Sequence, residues 1–197
     1  MATQKALVLK SKVEPLSLRT VPIPAVGPGS VVVRVLGTFI LSYLPSILDG
    51  SLPYSMTLPL IPGGSSIGRV ESVGPDAVSL KPGQLVYCDI TIRARDNPNL
   101  AILMGLHGEA AMRLMEGEWR NSTFAQYTKF PLENVFALDE DILCDKLGYS
   151  TDDLCAISSK SASTVCTLLK AELMNFFQVV LYLSADSRIL IFFPEKP

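Results

Sequence analysis

From Lys5 to about Leu138 the chain alternates short runs of Val, Leu and Ile with breaks that carry Pro and Gly. The breaks recur about every ten residues, which is the rhythm of a compact β-barrel. The runs predict strands at Ala6–Leu9, Ser30–Leu36, Gly68–Val73, Leu85–Ile92, Phe124–Phe130 and Val135–Leu138. The turns at Val26-Gly27-Pro28-Gly29 and Lys81-Pro82-Gly83 combine a fixed φ at Pro with the freedom of Gly to take positive φ. Pro45-Ser46-Ile47-Leu48 predicts a short helix, with Pro in the tolerated first turn. Leu100, Leu103, Leu106, Ala110 and Leu114 recur at spacings of three and four, so a helix interrupted at Gly105 and Gly108 is expected between Asp96 and Glu118.

Beyond Asp139 the pattern turns helical. Ser150-Thr151-Asp152-Asp153 suits a helix start before Leu154, Ala156 and Ile157, and a second helix is expected from Ser163 to Leu173. The tail holds two apolar runs, 179–183 and 189–193, on either side of Ser184-Ala185-Asp186-Ser187-Arg188. Each run is too short to span a bilayer, and a hairpin is the simplest reading. The expected fold class is mainly β with some α: a barrel domain over 1–138, a helical extension over 139–173 and a hairpin tail over 174–197.

Composition narrows the functional classes. With 48% hydrophobic and 18% charged residues the chain is a folded protein. A net charge of −2 supplies no basic cluster for nucleic acid or an anionic membrane, so small molecules or proteins are the expected partners. Lys5, Lys10 and Lys12 interrupt the N-terminus, which is read as neither a secretory signal nor an anchor; a cytoplasmic address is the expectation. Cys88, Cys144, Cys155 and Cys166 are too widely spaced for C-x-x-C pairs and read as reduced, buried hydrophobes. Asn121-Ser122-Thr123 matches a glycosylation sequon, taken as coincidence without a secretory route.

Several segments then carry a resemblance. Val31-Val32-Val33-Arg34-Val35-Leu36, the block from Pro59-Leu60-Ile61-Pro62-Gly63-Gly64-Ser65-Ser66-Ile67-Gly68 through Lys81-Pro82-Gly83, Trp119 to Tyr127, and Pro131-Leu132-Glu133-Asn134 stand in one order. Over residues 5 to about 170 the chain resembles the GroES-like catalytic domain of medium-chain dehydrogenase/reductases, and the Trp119 segment is most like fungal members that serve secondary metabolism. In that superfamily a Cys, the His of a Pro-Gly-His-Glu motif and a later Cys or Glu hold catalytic zinc. Here Leu41 stands at the first ligand position, Gly64 at the His and Ser65 at the Glu beside it, so no metal site is implied. The four clustered cysteines of the structural zinc lobe are missing as well. No Gly-x-Gly-x-x-Gly occurs and no glycine follows Gly148, so a Rossmann domain and its dinucleotide are expected to be absent and the chain reads as truncated.

The remaining candidates are sparse. His107 is the one histidine and is either a general acid or base or a partly exposed residue without a catalytic role. Asp89 follows a strand where the resemblance places a pocket wall, and Tyr43 sits just past the lost zinc ligand. Both join His107 as catalytic candidates, while Leu41, Ser42, Tyr54, Gly64, Ser65 and Trp119 are candidates for substrate contact. Gly64-Ser65-Ser66-Ile67-Gly68 also fits the hydrolase Gly-x-Ser-x-Gly, but a turn entering a strand is the wrong context. The preferred expectation is a zinc-free domain that binds or converts a small apolar metabolite without cofactor, by isomerisation, dehydration or cyclisation. An oxidoreductase component whose nucleotide site comes from a partner, and a non-catalytic interaction protein or decayed enzyme, are the alternatives. The tail over 174–197 either docks on its own barrel or forms a homodimer.

Overall fold

The computed structural model describes residues 2–157 and the backbone of two further strands, Val180–Leu183 and Ile189–Phe192. A hairpin of β1 (Thr3–Val8) and β2 (Ser17–Pro22) opens the chain. The main sheet runs in the spatial order β8 (Tyr127–Pro131), β3 (Ser30–Thr38), β4 (Ser66–Val73), β5 (Leu85–Cys88), β9 (Val135–Ala137), and every neighbour is antiparallel. Backbone bonds from Leu7 N to Phe124 O at 2.8 Å and from Gln126 N to Lys5 O at 3.2 Å lay β1 along the segment that leads into β8, which continues the sheet toward closure.

Side chains alternate across this sheet as the pleat requires. Val31 and Val33 of β3, Val70 of β4, and Val86 and Cys88 of β5 point inward to one large core. Ile67 of β4 with Leu85 and Tyr87 of β5 point outward to a second, smaller cluster. That outer cluster is covered by the segment after β9: a π-helical stretch at Asp141–Lys146 and α3 (Thr151–Ile157), whose Leu154 is buried there. Both faces of β5 are therefore dry, which explains why all four of its residues are buried. The start of α3 is a reciprocal cap in which Ser150 N donates to the Asp153 carboxylate at 2.9 Å and Asp153 N donates to Ser150 Oγ at 3.2 Å.

Three expectations are corrected. The helix over 96–118 is instead a hairpin of β6 (Thr91–Arg93) and β7 (Ala101–Leu103), a 3-10 turn at Glu109–Ala111 and α2 (Met112–Glu116). Ile102, Met104 and Leu106 are fully buried around β7 and Met115 in α2, so the operative spacing through the hairpin is two and the leucine spacing of three was incidental. Gly105 has φ +76, and a Cβ there would meet Ser122 Cβ at 2.5 Å, so a close approach rather than a helix break explains it. Strand β2 was not foreseen because Ser17, Leu18, Arg19 and Thr20 are largely exposed and form no apolar run. The strand expected over Leu85–Ile92 stops at Cys88, where Asp89 N turns to Asn134 O at 2.9 Å.

The helix at Pro45–Leu48 is α1 (Leu44–Leu48). The two final strands, here β10 (Val180–Leu183) and β11 (Ile189–Phe192), pair antiparallel with Val180 opposite Phe192. The helix expected over Ser163–Leu173, Cys166 and the side chains of the 174–197 tail lie outside the described residues.

Candidate functional site

The corner that the sequence singled out lies at one end of the main sheet. Thr38 ends β3, Ser66 opens β4 and Cys88 ends β5, and the ladders pair Thr38 with Ser66 and Ser66 with Cys88 in one row. The next positions along each strand, Phe39, Ser65 and Asp89, therefore share that edge, with Phe39 N bonded to Ser65 O at 3.0 Å. Leu41, half-buried against the barrel core, follows two residues later and its carbonyl accepts Leu44 N at 3.0 Å to start α1. Ser42 is exposed and Tyr43 half-buried against the same core.

Gly64 is held by a pair of hydroxyls that no sequence motif ties to it. Gly64 N donates to Thr123 Oγ1 at 3.0 Å, and Thr123 Oγ1 donates back to Gly64 O at 2.8 Å. Thr38 Oγ1 stands 2.7 Å from the same oxygen. A hydroxyl has one proton, so with Thr123 spending its own on Gly64 O, Thr38 must be the donor to Thr123. This staple joins β3, the Gly63-Gly64 loop and the segment before β8. Thr123 sits in the Asn-Ser-Thr triplet read as chance; Asn121 is used too, its Oδ1 accepting Ile61 N at 3.0 Å.

The residues present do not fit a catalytic zinc. Leu41, Gly64 and Ser65 offer no imidazole, thiolate or carboxylate. Position 64 has no room for a side chain either, because a Cβ on Gly64 would lie 2.3 Å from the backbone oxygen of Phe39. Among the described residues no three of His, Cys, Asp and Glu gather into a set able to hold a metal ion. Cys88, fully buried nearby, has its thiol pushed far up by desolvation and stays protonated.

Asp89 is half-buried; one carboxylate oxygen, Oδ1, accepts Thr91 N at 2.9 Å, while Oδ2 has no hydrogen-bond partner among the described residues. Asn134, whose side chain donates to Asp89 O at 3.0 Å and Thr91 O at 2.9 Å, fixes that turn and was not anticipated. His107 lies in another contact, between loops. Its Nδ1 accepts Ser55 N at 3.0 Å, its Nε2 faces the Glu109 carboxylate at 3.1 Å, and its ring lies 5.1 Å from that of Tyr54. The backbone donor fixes the tautomer with the proton on Nε2, so both nitrogens are engaged. Trp119 is half-buried against the barrel core behind α2. Ser66 of the Gly-x-Ser-x-Gly pattern is buried in the first position of β4, not on an exposed elbow.

An antiparallel sheet extended toward closure by a hairpin and covered on its outer face by a helical segment defines the class: a GroES-like barrel domain. The chain belongs to the alcohol dehydrogenase GroES-like domain family, which it matches over residues 27–140. Among curated relatives it is 34% identical over 135 residues to an L-threonine 3-dehydrogenase of Streptomyces avermitilis, covering 67% of this chain and 39% of that enzyme. Its fold is similar to that of CAD from Helicobacter pylori complexed with NADP(H), at 14% identity and a TM-score of 0.66, covering 87% of this chain and 50% of that one. A thermostable alcohol dehydrogenase from Pyrobaculum aerophilum is likewise similar, at 18% identity and a TM-score of 0.59 over 80% of this chain and 44% of that one. The chain thus spans well under two thirds of these proteins. The described residues contain no parallel βαβ unit, and no helix among them is long and apolar enough to cross a membrane.

Proposed function

We propose that this chain forms the substrate side of a zinc-independent oxidoreductase acting on a small apolar alcohol or its carbonyl counterpart. The observation that carries the reading is the Gly64 corner: the family's barrel is kept, while the position of the metal-binding histidine is a glycine packed on Phe39 O. Leu41 and Tyr43 would supply an apolar wall, and Asp89, whose Oδ2 has no hydrogen-bond partner among the described residues, would accept from a substrate hydroxyl. A bound nicotinamide would supply hydride exchange; no Gly-rich strand-to-helix turn for it occurs in the sequence, so its site belongs to another unit or chain. The cofactor-independent isomerisation, dehydration or cyclisation expected from the residues gains no support from the relatives, which are dehydrogenases by name, and the redox reading replaces it.

Metal analysis of protein grown with added zinc, together with thermal-shift titration of short alcohols and aldehydes, tests this. Substoichiometric zinc and stabilisation that Leu41→Trp removes are expected. One zinc per chain, or no response to any alcohol or aldehyde, would sink the reading.

A further inference from the structure

A cavity lies between the β1–β2 hairpin and the wall formed by residues 59–61 and 118–129. Its volume is about 680 Å³, within the range of pockets that hold drug-sized ligands. Val8, Val21 and Pro22 line it from the hairpin, and Pro59, Leu60 and Ile61 from the opposite side, with Gln4, Asn121, Ser122, Tyr127 and Thr128 also lining it, so its body is largely but not wholly apolar. The charges are confined to the 118–129 wall. Glu118 and Lys129 neutralise each other in an ion pair. Arg120 has no such partner: its Nε and Nη2 donate to the carbonyls of Met115 at 3.5 Å and Glu116 at 2.9 Å, and it enters no ion pair among the described residues. Those two bonds hold the guanidinium at the end of α2 and leave Nη1 as an uncommitted donor with a full positive charge nearby.

A largely apolar chamber with one pre-positioned guanidinium that no carboxylate among the described residues pairs selects a molecule with an apolar body and a single anionic head. We infer that this cavity is a binding site for small organic carboxylates, held by Arg120 at the head and by the Val21 and Leu60 walls along the body. The site is independent of the proposed reaction at the Gly64 corner and does not require it.

Isothermal titration of the full chain with 4-phenylbutyrate and with the neutral 4-phenylbutan-1-ol tests the assignment. The carboxylate is expected to bind at least about tenfold tighter than the alcohol, the worth of one charge-assisted hydrogen bond. Arg120→Gln should erase that preference and Arg120→Lys should keep part of it. Ala25→Trp, at an exposed lining position, should weaken both ligands by filling the mouth. Leu41→Trp, in the other site, should leave both affinities unchanged. Equal affinity for acid and alcohol in the unaltered protein, absence of binding by either, or binding indifferent to Ala25→Trp would each overturn the proposal. A circular dichroism melt of each variant separates lost binding from lost folding, and a folded Arg120→Gln chain that still prefers the acid also refutes it.

Discussion

The Gly64 corner and the His107 clip are both places where the chain fastens one loop to another, and they do so by opposite means. At Gly64 the partners are backbone atoms and two threonine hydroxyls, with Thr123 only 2% exposed. At His107 the partners are the Ser55 backbone N–H and the Glu109 side chain, both near solvent, with the Glu109 side chain 77% exposed. A buried donor that loses its acceptor keeps the whole cost of its desolvation, whereas an exposed one returns to water. Of these two fastenings, the one that looked more reactive in the sequence is therefore expected to matter less for stability than the inert-looking glycine and threonines.

The sharpest way to break this comparison is Gly64→His, the change that would restore the family's histidine. Its Cβ collides with the Phe39 carbonyl, which cannot move without β3, so we expect a loss of about 3 kcal/mol in urea unfolding and no gain of bound zinc. A stable variant that takes up metal would show that the corner is open. Thr123→Val should come next, at about 2 kcal/mol, because it strands Gly64 N–H and leaves Thr38 O–H only the carbonyls of Gly64 and Ser65 at 3.4 Å. Thr38→Val should cost about 1 kcal/mol, and the double variant should cost less than the sum, since both act through one oxygen.

His107→Gln is expected to lower stability by about 1 kcal/mol at most, through the Ser55 N–H that loses its acceptor. Glu109→Gln should be within about 0.5 kcal/mol of the parent. A larger effect of either than of Thr123→Val would invert the comparison.

The smallest expected effect is electrostatic. Arg69 of β4 and Glu140 before the π-helical stretch form a two-point ion pair, and the guanidinium holds the Glu140 carboxyl below the ordinary glutamate range. A carboxylate with a depressed folded pKa stabilises above its unfolded value and loses that contribution as the pH falls through the folded one. Both side chains are about a third or more exposed, so solvent screening keeps the pair to roughly 0.5 kcal/mol. Stability should thus decline with acid below the glutamate range slightly more steeply in the parent than in Glu140→Gln, as read from unfolding curves at stepped pH.

The strands of the main sheet were legible because Val31–Val33, Ile67–Val70 and Leu85–Cys88 are apolar runs bounded by Pro and Gly. The segment around Leu103 misled because strand and helix spacings overlap over so short a stretch, and burial of Ile102, Met104 and Leu106 settled it. Of the candidate site, Leu41, Gly64, Ser65 and Asp89 converge on one sheet edge, while Tyr54 and His107 meet elsewhere. Thr38, Thr123 and Asn134 were invisible, since a threonine that caps a glycine 59 residues away leaves no local trace.

By itself the sequence determined the barrel, its membership in the dehydrogenase superfamily and the loss of ligand-bearing side chains at positions 41 and 64, because residue type and local spacing are properties of the chain. Tertiary structure alone decided that position 64 is closed to a side chain by Phe39 O, that His107 has both nitrogens occupied, and that Arg120 lines a largely apolar cavity without an ion-pair partner among the described residues. Each of these depends on which distant atoms share a few ångströms, and packing, not periodicity, sets that.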